Sequence, residues 1–281
     1  MRTTTAMLAL AASAGLASAQ FTVLIPGATA SDGATVNSTY TGTSTIFSTM
    51  SFSGDLTEIN TATFASEADW NISVNGGSAL EFNPTTTTGF TGTINVTASR
   101  TGLFWANNGD NFQFDSFESF DDGGDAVADA QWDNTSFEFS GAGPAITALG
   151  QLSSSFALDT NDGGTTDTEL AIYTIDGALI ATNDDNAANG GPGGLWSLIN
   201  ASLTTDTTYL IVVGGFNSEF GDQLATAGTA TGAFGLNVNG NQVGSGTLVG
   251  DDFHLFSFTI PAPGSAALLA MGGLLAARRR R

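Results

Sequence analysis

Three stretches of the chain gather oxygen-bearing side chains into glycine-bearing turns: Asp121, Asp122 and Asp125; Asp159, Asn161 and Asp162; and Asn183, Asp184 and Asp185. Calcium takes about six to eight oxygen ligands from carboxylates, amides, carbonyls and water, and acidic turns can supply them. A structural Ca²⁺ is therefore the one cofactor the chain suggests, with Asp184 and Asp185 the favoured ligands and Asp121, Asp122 and Asp125 next. The structural alternative is that Asp and Asn occupy turns because their side chains bond their own backbone. The stretch from Asp159 to Glu169 has part of an EF-hand spacing, but Gly163 stands at a ligand position and Leu170 where the closing Glu is required.

Other chemistry is sparse. Among the tryptophans, Trp70 and Trp132 fall in alternating stretches and are expected in a core. Trp105 and Trp196, beside Asn107-Asn108-Gly109 and Pro192-Gly193-Gly194, are the candidates for stacking on a sugar. His254 is the single histidine and sits in the alternating run Phe253 to Phe258, where a structural role is expected. No cysteine is present, which removes thiol catalysis and thiolate zinc. There is no lysine, and no G-x-S-x-G elbow accompanies the serines. Gly190-Gly191-Pro192-Gly193-Gly194 lacks the Lys of a phosphate loop. Carboxylate pairs such as Glu118 with Glu138 could serve glycoside hydrolysis only at a suitable separation. No catalytic residue is assigned, and the chain is expected not to be an enzyme.

The elements that carry these residues read as strands. Asn71 to Val74, Thr93 to Thr97, Phe112 to Phe114 and Ser136 to Phe139 alternate apolar and polar residues, the period of a half-buried strand. Turn signals such as Asn75-Gly76-Gly77 and Asn108-Gly109-Asp110 punctuate them. A second set of strands runs through Leu170–Ile175, Tyr209–Val213, Phe234–Val238 and Phe253–Ile260. The fold class expected is all-β: two antiparallel, jelly-roll-like β-sandwich domains, residues 20–143 and 144–260, meeting at Gly141-Ala142-Gly143-Pro144. One larger sandwich is the alternative.

Charge narrows the partners. Five of the six basic residues lie at the two ends, so Arg100 alone faces all 27 acidic residues in the body. Such a body repels phosphate backbones, and nucleic acid is excluded as a partner.

The ends read as targeting segments. Residues 1–19 combine Arg2, an apolar run from Ala6, and the small residues Ala17 and Ala19 before Gln20, the layout of a secretory signal peptide cut at Gln20. Residues 261–281 run Pro261-Ala262-Pro263-Gly264, an apolar stretch to Ala277, then Arg278, Arg279, Arg280 and Arg281. As a helix the stretch reaches about 21 Å, short against a hydrocarbon core of about 30 Å, and the arginines would hold its end in the cytoplasm.

This C-terminal layout resembles the PEP-CTERM sorting signal, with Ala262 where that family usually has Glu. The resemblance implies an exosortase-type processing enzyme as partner, transient anchoring in the inner membrane by a short helix, and export to the cell surface or extracellular matrix. The pattern from Asp167-Thr168-Glu169-Leu170 through Asp176-Gly177 and Asn183-Asp184-Asp185 to Thr208–Gly214 resembles bacterial pre-peptidase C-terminal domains, which implies a secreted, non-catalytic β-sandwich. Trp105 to Ser140 is similar to the closing strands of jelly-roll modules of the P-domain kind. The expectation is a non-enzymatic exported surface or matrix protein. The alternative is a carbohydrate-binding module acting on extracellular polysaccharide, and the third reading is a secreted hydrolase.

Overall fold

The computed structural model describes residues 20–29, 35–59, 64–119, 130–161, 165–185 and 195–262. The signal segment to Ala19, the turn of Asp121, Asp122 and Asp125, and the tail from Pro263 through Gly264 to Arg278–Arg281 lie outside the described residues. Within them the fold is all-β, with a single 3-10 turn at Ala65–Glu67 and no α-helix. No helix among the described residues is long and apolar enough to cross a membrane.

In the first half the strands are β1 (Phe21–Thr29), β2 (Thr35–Thr39), β3 (Thr45–Glu58), β4 (Ala68–Val74), β5 (Leu80–Phe82), β6 (Thr93–Ala106), β7 (Asn111–Glu118) and β8 (Ala130–Ala142). The second half holds β9 (Ile146–Gln151), β10 (Ser155–Asp159), β11 (Thr168–Thr174), β12 (Leu179–Asn183), β13 (Leu198–Ser202), β14 (Thr207–Gly215), β15 (Glu219–Gly221), β16 (Leu224–Thr226), β17 (Ala230–Val238), β18 (Asn241–Gly250) and β19 (His254–Ile260). They form four sheets, ordered β1-β8-β3-β6-β16-β15, β2-β7-β4-β5, β12-β11-β14-β19-β9 and β13-β10-β17-β18. All pairings are antiparallel except β9 with β19.

Period-two alternation sends one side of each strand inward. In the first half Phe52, Trp132 and Phe137 of one sheet meet Trp70, Ile72, Phe82 and Phe114 of the other. Trp70 and Trp132 are buried as expected, and ring pairs such as Phe114–Phe137 at 4.7 Å bind the two faces. The second half encloses a more aliphatic core, in which Leu170, Ile172, Ile211 and Val213 face Leu158, Ile199, Leu236 and Leu248.

The central strands β11 and β14 are buried on both sides. Their other face, Ala171, Tyr173, Leu210 and Val212, joins Leu103, Trp105, Ala225 and Leu255 in a third cluster that packs the second half against the first. Two-sided burial explains why Leu210-Ile211-Val212-Val213 is an unbroken apolar run rather than an alternating one. The hairpin β15–β16 completes the contact by pairing with β6, Leu224 opposite Phe104 and Thr226 opposite Gly102. A strand pair from the second half thus extends a sheet of the first.

Candidate functional site

The junction between the halves is closed by polar as well as apolar contacts. Trp105 stacks on Tyr173 with ring centroids 4.6 Å apart, and the Tyr173 hydroxyl donates to the Gly221 carbonyl at 3.1 Å. Gly177, at φ +93°, lies so close that a Cβ there would come within 2.6 Å of the Trp105 ring, so no other residue fits without a shift. Asp110 gathers three donors: the Asn75 amide at 2.7 Å, the Asn107 N–H at 2.7 Å, and the Gln223 amide. Gln223 also receives the Asn75 amide at 3.0 Å, and its own N–H reaches the Gly177 carbonyl at 2.8 Å. Asp222 accepts from Leu179 N–H at 2.9 Å, while its N–H donates to the Ser78 hydroxyl.

Trp105 is therefore not the exposed platform expected from its neighbouring turn. It is 1% exposed and enclosed by the second half, closed to any sugar. A turn next in sequence says nothing about a partner sheet more than sixty residues away. Trp196 is half-buried, with its indole nitrogen buried and unpaired among the described residues.

The acidic end of sheet β12-β11-β14-β19-β9 is arranged differently. Pairing of Leu170 with Asn183 brings the residue preceding β11, Asp167, beside Asp184 and Asp185, which follow β12. One carboxylate oxygen from each of the three lies within 4.8 Å of the others. Asp184 and Asp185 are exposed and Asp167 is half-buried, with its Oδ1 buried and without a hydrogen-bond partner. Desolvation, then the charges of Asp185 and Asp184, push the Asp167 carboxyl above its ordinary range. Desolvation and Asp185 do the same to Asp184.

Glu169 stands next to them, 6% exposed, its Oε1 accepting the Asn217 N–H at 2.7 Å. Burial first, and then Asp184, push it up to about 7 against the lowering effect of that hydrogen bond. Glu169 and Asp184 line a cavity of about 420 Å³ with Asn183, Asn217, Glu219 and Phe220. A second cavity of about 380 Å³ shares Asn217 and Glu219 and reaches Glu81, Asn83 and Arg100 of the first half. The second cavity lies where the halves meet and adjoins the first through the shared Asn217 and Glu219. Desolvation and Glu81 raise the Glu219 carboxyl, with Thr226 and Arg100 acting the other way.

Of the turn Asp159, Asn161 and Asp162, the last lies outside the described residues. Asp159 Oδ1 accepts the Asn161 N–H at 3.0 Å and the Asn237 amide at 2.8 Å. His254 Nε2 is 2.9 Å from the Thr247 carbonyl, and its ring meets Phe234 edge-on. Glu138 points away from the core that Phe137 and Phe139 enter, and Glu118 ends a strand of the facing sheet. Gln20 is exposed ahead of β1; Pro261 is half-buried and Ala262 exposed, directly after the buried Ile260. The residues to which the sequence assigns no site role are Asp167, Glu169, Glu219 and Arg100. A carboxylate inside the run Thr168-Glu169-Leu170-Ala171-Ile172-Tyr173 was the available signal, since a charge in a strand buried on both faces requires a local reason.

No protein-family model matches the chain, and neither a curated protein nor a solved structure is significantly similar to it.

Proposed function

We propose that this chain is a non-enzymatic exported protein of the cell surface or extracellular matrix, its body two β-sandwich domains, residues 20–143 and 144–260. In this reading residues 1–19 are a signal peptide. Residues 261–281 are a PEP-CTERM-like sorting signal that anchors the chain in the inner membrane until an exosortase-type enzyme processes it. The observation that carries the reading is how the body ends. β19 pairs with β14 up to Ile260, and Ala262 is exposed, so the last strand stops where the Pro261-Ala262-Pro263-Gly264 stretch of the sequence begins. Mass spectrometry of the chain from its native cells tests it. The expected product begins at Gln20, ends within the Pro261–Gly264 stretch, and is found outside the inner membrane. A full-length chain in the cytosol would sink the reading.

A second reading concerns calcium, favoured by the convergence of Asp167, Asp184 and Asp185 and by the orphaned Asp167 Oδ1. Oxygens on different sides of an ion bound at about 2.3–2.6 Å are separated by less than about 5.2 Å, which the three carboxylates satisfy. A bound cation would also relieve the repulsion that raises Asp167 and Asp184. Calcium at about a hundred times its Kd should stabilise the fold by about 2.7 kcal/mol, seen as a higher Tm than in EDTA. Asp184→Asn with Asp185→Asn should remove the difference. Identical melting with calcium and with EDTA would end this reading.

A further inference from the structure

We propose that the groove running from Glu169 past Glu219 to Arg100 binds a neutral oligosaccharide. Its two adjoining cavities, about 420 and 380 Å³, fall within the size of small-ligand sites, about 300–1,000 Å³, which concentrate where structural units meet. The polar lining is mixed. Carboxylates and amides supply acceptors, and Arg100 supplies donors, since among the described residues its guanidinium makes one hydrogen bond, to the Asn83 carbonyl at 3.3 Å. Sugar hydroxyls both donate and accept, so a polyol can use both ends of the groove.

One aromatic ring lines the first cavity. It is that of Phe220, which packs against Tyr173 and Phe253 at ring-centroid distances of 6.4 and 6.0 Å. A ring fixed in this way offers the apolar C–H face of a pyranose a contact surface of little entropic cost.

Charge selects among sugars. Uronates and sulfated glycans meet a body with 27 acidic residues and, away from its ends, one cation, and are repelled. A cationic amino sugar would set its ammonium against Arg100 at one end of the groove. The neutral ligand suits both ends, and it replaces the stacking site expected at Trp105 with one built across the junction.

The test is calorimetric titration of the purified full chain with cellotriose, maltotriose and xylotriose, with a glucosamine trimer as the cationic probe. Saturable binding of at least one neutral trisaccharide is expected, weakened about tenfold or more by Glu219→Ala and by Arg100→Ala and unchanged by Trp196→Ala. Glu219→Gln, which keeps the shape and removes the charge, serves if Glu219→Ala fails to fold. Binding of the glucosamine trimer alone, affinity indifferent to both groove substitutions, or no neutral sugar bound would each overturn the proposal. The titration does not depend on where the chain resides in the cell. Failure of export therefore leaves it standing, and release of shorter sugars would sink the non-enzymatic reading while supporting the groove.

Discussion

Asp110 and Glu169 are buried to a similar degree, 8% and 6% exposed, yet their surroundings are opposite. Asp110 sits inside the junction and takes hydrogen bonds from Asn75, Asn107 and Gln223. Glu169 sits at the end of the groove, receives backbone N–H groups from Asn217 and Ser218, and faces Asp184 and Asp167. Burial alone thus does not decide what a carboxylate does for the fold. Desolvation is offset where donors converge and left standing where other carboxylates converge. The first arrangement locks two halves together, and the second leaves a region short of positive charge beside a groove.

The largest losses are expected at the junction. Trp105→Ala removes a buried ring and its stack on Tyr173, and a loss of about 3–5 kcal/mol is expected in urea unfolding of the full chain. If Trp105 were instead an exposed sugar platform, stability would hold and only binding would fall. Asp110→Ala is the next largest effect. It leaves the buried Gln223 amide and the Asn107 N–H without their acceptor, at a cost of about 1–3 kcal/mol. The matched change at the other carboxylate, Glu169→Ala, should cost distinctly less in the same assay at pH 8, because a repulsion is removed with the side chain. Equal losses from the two substitutions would show that the surroundings of Asp110 and Glu169 do not differ energetically.

The strands of the first half were readable from period alone. Phe112–Phe114 and Ser136–Phe139 lie in strands whose alternate residues are buried, and the place of Trp132 follows from that rule; Asn71–Val74 also lies in a strand, but one buried at every position except Asn71. What period cannot carry is a contact between sheets distant in the chain. Trp105 was read from the turn that follows it, although the run Leu103-Phe104-Trp105-Ala106 is buried at every position, the mark of a strand covered on both faces. The short β15–β16 hairpin, three residues to a strand, is below what a periodic signal can resolve. Asp184 and Asp185 were legible as an acidic turn, whereas their partner Asp167 depends on the register of β11 against β12. Asp121, Asp122 and Asp125 lie outside the described residues.

The smallest expected effect separates the two carboxylate environments by pH. Glu169 has an ordinary value of 4.5 and is pushed up to about 7 in the folded chain. Between those values the native state keeps a proton that the unfolded state has released, so stability is fully present below about 4.5 and is lost as pH rises through about 7. Asp69, 1% exposed with its Oδ1 unpaired among the described residues, acts in the same direction. Burial, with Glu81 and Glu67, raises it from 3.8 to about 6. The Tm at pH 5 should therefore exceed that at pH 8 by a few degrees, and general repulsion among the 27 acidic residues adds in the same sense. The variants isolate the local part. Glu169→Gln should flatten the decline between pH 5 and 8, and Asp69→Asn should flatten mainly its lower portion, below about pH 6. Calcium at pH 8 should recover stability in the parent and in Asp69→Asn. A Tm that climbs steadily from pH 5 to pH 8 in the parent would mean that these buried carboxyls are better paired than Glu169's neighbours allow. The contrast with Asp110 would then fall.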